Sequence, residues 1–318
     1  MPATKIALEE HFMAPDFAEY WEGTIADVPR ALRESILSRL SDFDGVRLET
    51  MDKAGIARAA LSLAGPGVQI EPDRATAVRK AAQANDFLAA QVQKRPDRFI
   101  GFAHLPMQDP RAASSELKRC VKELDFKGAM INGQTFGRYL DDRAYDPFWA
   151  TAQDLGSPVY IHPADPVRQP DSIASYKELT RATWGWTVET ASHALRLIFG
   201  GVFDRFPKAM LILGHMGETL PYMLWRLDSR AKLYGVKLAR EPSDYIRNNI
   251  AITISGVYSP EPFACAVQAL GADRIMFAAD YPFESSETAA SFIDDVAIEE
   301  RVREAVCAGN ARRIFGLD

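Results

Sequence analysis

The sequence predicts an α/β protein of the (β/α)8 (TIM) barrel class, with long loops over the C-terminal face of the barrel. Short, β-rich apolar segments alternate with longer amphipathic segments along the 318 residues, and eight of the short segments can be counted. Several of them are apolar throughout, which is typical of parallel strands that are covered on both faces. Eight repeats of strand and helix favour a closed parallel barrel over an open sheet.

The predicted strands are short, apolar and bounded by turn residues. They are Lys5–Glu9, Ala59–Ala64, Phe99–Pro106, Lys127–Asn132, Pro158–His162, Ala209–His215, Ile250–Ser255 and Arg274–Asp280. The segments between them carry apolar residues at helical spacing. The clearest predicted helices are Asp73–Lys94, Ala112–Leu124, Asp146–Leu155, Val188–Phe206 and Pro260–Leu270.

Two segments are too long to be simple connections. The first, Met13–Leu40, follows strand one and contains Trp21, and the second, Ala164–Trp186, follows strand five and contains Trp184. Long loops that follow barrel strands lie over the mouth of the barrel and usually form lids or pocket walls. The chain has no low-complexity tract and no repeat longer than the strand–helix unit, so we expect residues 1–318 to form one domain.

The composition excludes several classes of partner. Hydrophobic residues make up 47% and charged residues 25%, which is ordinary for a globular protein, and the net charge of -6 gives no electrostatic footprint for nucleic acid or anionic membranes. There is neither a leader-like N-terminus nor an apolar stretch long enough for a bilayer. Cys120, Cys265 and Cys307 are scattered and predict reduced thiols rather than a disulfide framework, so a cytoplasmic location is expected.

Ionisable side chains stand at the ends of four predicted strands. They are Glu9 and His11 for strand one, His162 for strand five, His215 for strand six and Asp280 for strand eight. The C-terminal ends of the strands form the catalytic face of such a barrel, so these groups should converge near its axis. Alternation along a strand places Glu9 and His11 on the same side, while Glu10 points away. Imidazoles and carboxylates together suit a divalent ion of zinc or manganese type, with positions left for water or substrate.

A structural role has to be weighed for each of these residues. A single histidine at a strand end is more often structural than a ligand, but here three of only five histidines end strands beside carboxylates. His104 and His193 are expected to be structural, and Glu10 to be a packing residue or a residue behind the site. For Arg226, a surface arginine on the helix 220–230 and a contact with substrate both remain open.

Other chemistries lack support in the sequence. There is no GxSxG elbow, no P-loop and no GxGxxG after a strand, so neither a serine nucleophile nor a nucleotide cofactor is predicted. No organic cofactor is expected.

Four motifs resemble the amidohydrolase superfamily. They are Ala7–Phe12 (ALEEHF), Tyr160–Pro163 (YIHP), Leu213–Glu218 (LGHMGE) and Phe277–Phe283 (FAADYPF). More narrowly, the chain is similar to its aromatic-acid decarboxylase branch, which includes the γ-resorcylate, 2,3-dihydroxybenzoate and 5-carboxyvanillate decarboxylases and is related to aminocarboxymuconate-semialdehyde decarboxylase. The similarity runs from Lys5 to Leu317 and includes Arg95–Phe99 and Asn310–Arg313.

The resemblance implies a role for each group of residues. It implies one divalent metal held by Glu9, His11, His162 and Asp280, a relay in which His215 and Glu218 act on Asp280, and substrate contacts from Asn132, Arg226 and Phe283. The first motif is Glu-x-His, whereas many hydrolytic members of the superfamily carry His-x-His, and this difference favours decarboxylation.

The implied reaction is the non-oxidative decarboxylation of an ortho-hydroxylated aromatic acid of the hydroxybenzoate type, by protonation of the ring and then loss of CO2, with Asp280 as the proton donor. Metal-dependent hydrolysis of a lactone or an amide is the alternative on the same fold, and a binding protein without metal or turnover is a third possibility. We also expect a homo-oligomer, either a dimer or a tetramer. The segments Gly133–Tyr145 and Ala164–Leu179 differ from the resorcylate pattern, so the identity of the aromatic acid stays open.

Overall fold

The computed structural model describes residues 3–26 and 28–318. Met1, Pro2 and Asp27 lie outside the described residues. Met1 and Pro2 begin the N-terminal segment in which the sequence predicts no leader, and Asp27 lies in the first long loop. Eight parallel strands pair in chain order from β1 to β8. They are β1 (Lys5–Phe12), β2 (Ile56–Leu63), β3 (Phe99–Ala103), β4 (Gly128–Asn132), β5 (Val159–His162), β6 (Leu211–Leu213), β7 (Ile250–Thr253) and β8 (Ile275–Met276). The predicted (β/α)8 barrel is confirmed.

Helices cover the outside of the barrel and part of its mouth. They are α1 (Glu22–Ile25), α2 (Arg30–Leu40), α3 (Val46–Ala54), α4 (Arg74–Lys94), α5 (Pro110–Glu123), α6 (Asp146–Leu155), α7 (Asp171–Ala174), α8 (Gly185–Phe199), α9 (Val202–Arg205), α10 (His215–Glu218), α11 (Leu220–Leu233), α12 (Pro242–Asn249), α13 (Pro260–Leu270), α14 (Ser286–Asp295), α15 (Glu300–Glu304) and α16 (Asn310–Phe315). Short 3-10 turns at 18–20, 67–70, 143–145, 177–179, 181–183 and 272–274, and a π-helical turn at 305–309, complete the regular structure.

Two apolar layers result from this arrangement. Side chains such as Leu8, Met130 and Tyr160 fill the inside of the barrel, and a larger cluster packs between the strands and the surrounding helices. The first and last strand segments meet beyond the end of β8, where the backbone N–H of His11 donates to the carbonyl of Tyr281 at 2.8 Å. The site therefore stands on a ring of buried strands that is joined at this seam.

Several predicted boundaries are wrong. β8 ends at Met276, so Asp280 lies four residues beyond the strand, and His215 follows β6 in a helical turn instead of closing the strand. β1 continues past His11 to Phe12. The predicted helix Val188–Phe206 is two helices, α8 and α9, because Gly201 adopts a left-handed φ of 68° between them.

Both long loops contain helical turns. The first carries α1 and α2, and the second carries α7 and two 3-10 turns. None of the helices formed by the described residues has the length and the apolar character needed to cross a membrane. The three cysteines are unpaired, with Cys120 and Cys307 buried and Cys265 partly exposed, as expected for reduced thiols.

Candidate active site

Four of the predicted residues converge at the mouth of the barrel. Glu9, His11, His162 and Asp280 each offer one ligand atom, and these atoms all lie within 4.8 Å of one another. Among residues 3–26 and 28–318, this is the one cluster of at least three histidine, cysteine or carboxylate side chains with such spacing. Its members come from β1, β5 and the turn after β8, so the barrel brings together residues that are far apart in the chain.

The carboxylate of Glu9 is held by one oxygen and leaves the other without a partner. Oε2 accepts a hydrogen bond of 2.6 Å from the hydroxyl of Tyr160 and another from the hydroxyl of Ser255, while Oε1 is buried without any hydrogen-bond partner. Close approach also requires a glycine at position 214, since a Cβ there would lie 2.7 Å from Oε2. An ionised oxygen buried in this way is costly unless a cation compensates it.

The two histidines of the cluster are oriented from behind. Nδ1 of His162 donates to the carbonyl of Pro163 at 2.9 Å, which leaves the lone pair of Nε2 facing the cluster. In His11, Nδ1 lies 3.2 Å from the hydroxyl of Ser62, and Nε2 lies 3.1 Å from Oδ1 of Asp280. Burial, together with the neighbouring His11, lowers the pKa of His162 to about 3, so this ring is neutral and can act as a ligand.

These observations fit a divalent metal. Two imidazole nitrogens and two carboxylate oxygens form a donor set suited to zinc or manganese, and the unpartnered Oε1 of Glu9 faces no donor from the described part of the chain. Glu9, His11, His162 and Asp280 are therefore the residues that would hold it.

A second pair of groups lies beside the cluster. Nδ1 of His215 lies 2.9 Å from Oε1 of Glu218, and Nε2 of His215 lies 3.7 Å from Oδ2 of Asp280. His215 thus stands between two carboxylates, with Asp280 on the side of the cluster and the buried Glu218 behind. This is the order of groups that the resemblance implied for a relay.

The charges of this relay are set by its surroundings. Burial acts to lower the pKa of His215, but the carboxylates of Glu9 and Glu218 and the bond to Asp280 outweigh it and hold that pKa well above its usual value. Burial acts in the opposite sense on Asp280, but hydrogen bonds from His11 and His215 keep the pKa of this carboxyl below its usual range. Without a metal, the shared proton therefore resides on His215.

Two aromatic rings and one amide border the cluster. The ring of Phe283 lies 5.5 Å from the ring of His11, and the ring of Trp21 lies 6.2 Å from Phe283. Phe283 is 40% exposed, so it offers a free aromatic face at the mouth. Asn132, at the end of β4, is paired in register with His162 and has a buried Oδ1 without a partner.

The remaining predicted residues fall into two groups. His104 and His193 are buried and accept hydrogen bonds from the backbone N–H of Val68 and Leu140, at 3.0 Å and 2.9 Å, which agrees with structural roles. Arg226 lies on the exposed side of α11, and no contact joins it to the four convergent ligands among the contacts of the described residues.

Several residues of the site were not identified from the sequence. Tyr160, Thr253 and Ser255 form a chain of hydroxyls behind Glu9, with 2.9 Å between the hydroxyls of Tyr160 and Thr253 and 3.0 Å between those of Thr253 and Ser255. The sequence did contain a signal for two of them. Tyr160 is two residues before His162, so both side chains lie on the same side of the strand, and Thr253 is a polar residue that interrupts an apolar strand. Trp21 lies in the first long loop, which the sequence predicted to form a lid or pocket wall, but its contact with Phe283 was not predicted.

Comparisons with known proteins identify the family of the chain. A model of the family described as amidohydrolase matches residues 29–317. The γ-resorcylate decarboxylase of Rhizobium sp. (strain MTP-10005) is 43% identical, with 99% of this chain and 98% of that protein covered.

Solved structures are equally similar. The dihydroxybenzoic acid decarboxylase of Polaromonas sp. JS666, solved with bound manganese and the inhibitor 2-nitroresorcinol, has a TM-score of 0.93 and 42% identity, with 99% of this chain and 97% of that chain covered. The 5-carboxyvanillate decarboxylase of Sphingomonas paucimobilis has a TM-score of 0.92 and 36% identity, with 99% and 100% covered.

Proposed function

The chain belongs to the amidohydrolase family, in the branch that contains the γ-resorcylate decarboxylases, and from this premise we propose that it decarboxylates an ortho-hydroxylated aromatic acid without oxidation. The observation that carries the proposal is the convergence of Glu9, His11, His162 and Asp280 beside the His215–Glu218 pair. This set combines the ligands for a divalent ion with a proton source at one point on the barrel mouth.

The chemistry explains why both parts are needed. Direct loss of CO2 from an aromatic ring would leave an electron pair in a ring sp2 orbital that nothing stabilises. Protonation of the carbon that bears the carboxylate avoids this carbanion, and the electrons of the broken C–C bond then restore the ring. When bound, the divalent ion supplies Lewis acidity and a template for the carboxylate and the adjacent hydroxyl.

We assign the proton transfer to Asp280, supplied by His215. Nε2 of His215 lies 3.7 Å from Oδ2 of Asp280, so His215 can supply the proton that Asp280 passes to the ring. Glu218 holds Nδ1 of His215 at 2.9 Å and so fixes the orientation of the imidazole. One proton is consumed and one CO2 is released in each turnover.

We propose Phe283 and Asn132 as the substrate contacts from this chain. The exposed ring of Phe283 can pack on an aromatic substrate, and Asn132, whose Oδ1 has no partner in the chain, lies at the end of the strand next to His162. Trp21 supports Phe283 from the loop after β1.

We also propose that the protein is a homo-oligomer and that its location is cytoplasmic. The exposed side of α11 carries Tyr222, Trp225 and Leu233, which are 82%, 77% and 61% exposed, and such a stripe is typical of a face that is covered by a partner. Arg226 belongs to the same exposed side. Because Arg226 lies on this side and the described residues show no contact between it and the four ligands, we propose that it serves the substrate of a neighbouring copy. The scattered, unpaired cysteines support a reducing compartment.

The test is metal analysis of the purified protein combined with a screen for CO2 release from hydroxybenzoates that carry hydroxyls at different ring positions. We expect one zinc or manganese per chain and turnover only of acids with a hydroxyl ortho to the carboxylate. Lactones and amides belong in the same screen, because turnover of these and not of the hydroxybenzoates would establish the hydrolase instead. A protein without metal or turnover would contradict both.

A further inference from the structure

The position of Asp280 is not explained by the strand that precedes it. β8 ends at Met276, and Asp280 lies four residues later with a left-handed φ of 66°. Left-handed backbone is unfavourable for a residue with a side chain, so the surrounding structure has to hold it in place. A contact outside β8 must therefore fix the turn Ala279–Tyr281.

Glu10 provides this contact. Its side chain is buried, and Oε1 accepts a hydrogen bond of 2.8 Å from the backbone N–H of Ala279. Meanwhile the N–H of His11 donates to the carbonyl of Tyr281 at 2.8 Å.

Arg47 supports the same arrangement from outside. Its buried guanidinium donates to the carbonyl of His11 at 2.6 Å and lies 4.7 Å from the centre of the Tyr281 ring. Burial raises the pKa of Glu10 to about 8, and the positive charge of Arg47 acts against part of this rise. The three consecutive residues Glu9, Glu10 and His11 thus divide their tasks, because the outer two face the cluster and the middle one faces the turn.

We propose that Glu10 is a positioning residue that fixes Asp280 relative to Glu9 and His11 by accepting a hydrogen bond from the backbone N–H of Ala279, the residue before Asp280. The inference rests on the proposed function only for its effect on turnover. Its effects on the turn and on metal affinity follow from the geometry alone. Groups of this kind behind a metal site typically change affinity by about 10–100-fold when they are removed.

The effect of Glu10 on metal binding should depend on the hydrogen bond that it accepts from Ala279, and not on the volume of its side chain. Glu10→Gln keeps an acceptor oxygen of nearly the same shape, whereas Glu10→Met fills similar space and accepts almost nothing. We expect Glu10→Met to weaken zinc or manganese binding by about 10–100-fold in competition with a chelator, and Glu10→Gln to stay within about fivefold of the native value. Glu189→Met removes a half-buried carboxylate that bonds to Tyr139, away from the cluster, and serves as the matched control that should leave metal binding unchanged.

Hydrogen exchange provides a readout that does not depend on metal or substrate. In the metal-free native protein, the amide of Ala279 should be protected, and in Glu10→Met the peptide that covers 277–284 should exchange faster while the rest of the barrel is unchanged. Equal effects of the Gln and Met variants on metal affinity would overturn the proposal, as would an unprotected Ala279 amide in the native protein. This last measurement needs no variant, so it decides the matter even if Glu10→Met does not fold. A protein that passes these tests but releases no CO2 would contradict the proposed function and leave the role of Glu10 intact.

Discussion

Asp280 and His215 carry successive parts of the proton transfer, so substitution of either residue should stop it. Asp280→Asn should abolish decarboxylation even in protein that retains some metal, because an amide of nearly the same size cannot pass a proton to the ring. His215→Asn should be impaired by a similar factor, since it removes the group that supplies the proton to Asp280. The two act as one unit, so the double variant should be little worse than either single variant. Rates should be measured as CO2 release, with metal content determined on the same samples.

The native enzyme in D2O tests whether the ring carbon is protonated at all. The product should carry one deuterium at the carbon that lost CO2. Turnover near the native rate by metal-loaded Asp280→Asn would remove Asp280 as the donor and leave His215 or a metal-bound water as the candidates.

His104 should make the fold sensitive to acid. Burial lowers its pKa to about 4 from an ordinary 6.5, because Nε2 accepts from Val68 in a buried site where a second proton is unfavourable. Between these pH values the unfolded chain binds more protons than the folded protein. The free energy of unfolding therefore falls as the pH drops from about 6.5 towards 4, and the contribution of His104 is fully present above about 6.5. The loss at the acid end is roughly 3 kcal/mol.

Urea unfolding at pH 7 and pH 5 measures this effect. His104→Gln, which retains an acceptor, should lose less stability on acidification than the native protein does. His193 is the matched second case, because burial lowers its pKa to about 3 and it also accepts a backbone bond. If stability depends on pH as in the native protein after His104→Gln and after the same substitution at His193, the argument is contradicted.

At the scale of elements, the orientation of β1 shows what alternation alone predicts and what it does not. Glu9 and His11 face the cluster as expected, yet Leu8 also lies inside the barrel, next to Glu9 in sequence. Strict alternation from Leu8 would turn Glu9 outwards. The register between β1 and β2 shifts between Ala7 and Glu10, with one extra residue on β1, and this bulge reverses the alternation. No residue in ALEEHF signals the bulge, so the sequence predicts the outcome but not its cause.

The turn that carries His215 could not be predicted either. Five successive residues, His215 to Thr219, have φ values of 48°, 57°, 77°, 52° and 67°, which form a left-handed turn. Each residue other than glycine costs about 1–2 kcal/mol in that conformation. The turn brings His215 and Glu218 within 2.9 Å, so the strain coincides with the relay. Gly217 was visible in the sequence, but a single glycine does not specify four strained neighbours.

Arg181 connects the two long loops. Arg181, in the second loop, donates to the carbonyls of Gly23 and Thr24 in the first, at 3.1 Å for Gly23, and its Nε lies 3.6 Å from Asp165. Arg181→Ala should therefore loosen both loops over the mouth. We expect faster proteolytic cleavage within 164–186 and a KM that rises by about 3–10-fold, because loops that cover a site also help to retain the substrate.

A matched variant tests whether the loop contact is responsible. Arg168→Ala lies in the same segment and removes an exposed ion pair with Asp171, so proteolysis and KM should stay near native values. Equal behaviour of the two variants would mean that Arg181 does not hold the loops together.

For the molecule as a whole, the fold was more predictable than the site. Eight apolar segments separated by helices determine the barrel, because burial on both faces restricts composition over many residues. The four ligands could be predicted because they lie at or near strand ends. Arg226 could not be placed, because sequence spacing gives its distance along α11 but not what covers that helix. Because Arg226 is exposed in the single chain, its contacts depend on how the chains assemble.

The last prediction concerns that assembly. Three large side chains of α11, Tyr222, Trp225 and Leu233, are more than half exposed, and a standard interface buries about 800 Å² per partner. We expect a dimer or tetramer by light scattering at micromolar concentration. Trp225→Glu should dissociate it, whereas Leu32→Glu should not, because Leu32 is 52% exposed on another helix.

If Arg226 serves the neighbouring copy, co-expressed Arg226→Ala and Asp280→Asn chains should regain activity. In a dimer, half of the molecules would be mixed, and each would contain one site with both groups, so about a quarter of native activity should return. No recovery from mixed oligomers that are shown to form would place Arg226 outside the neighbouring site.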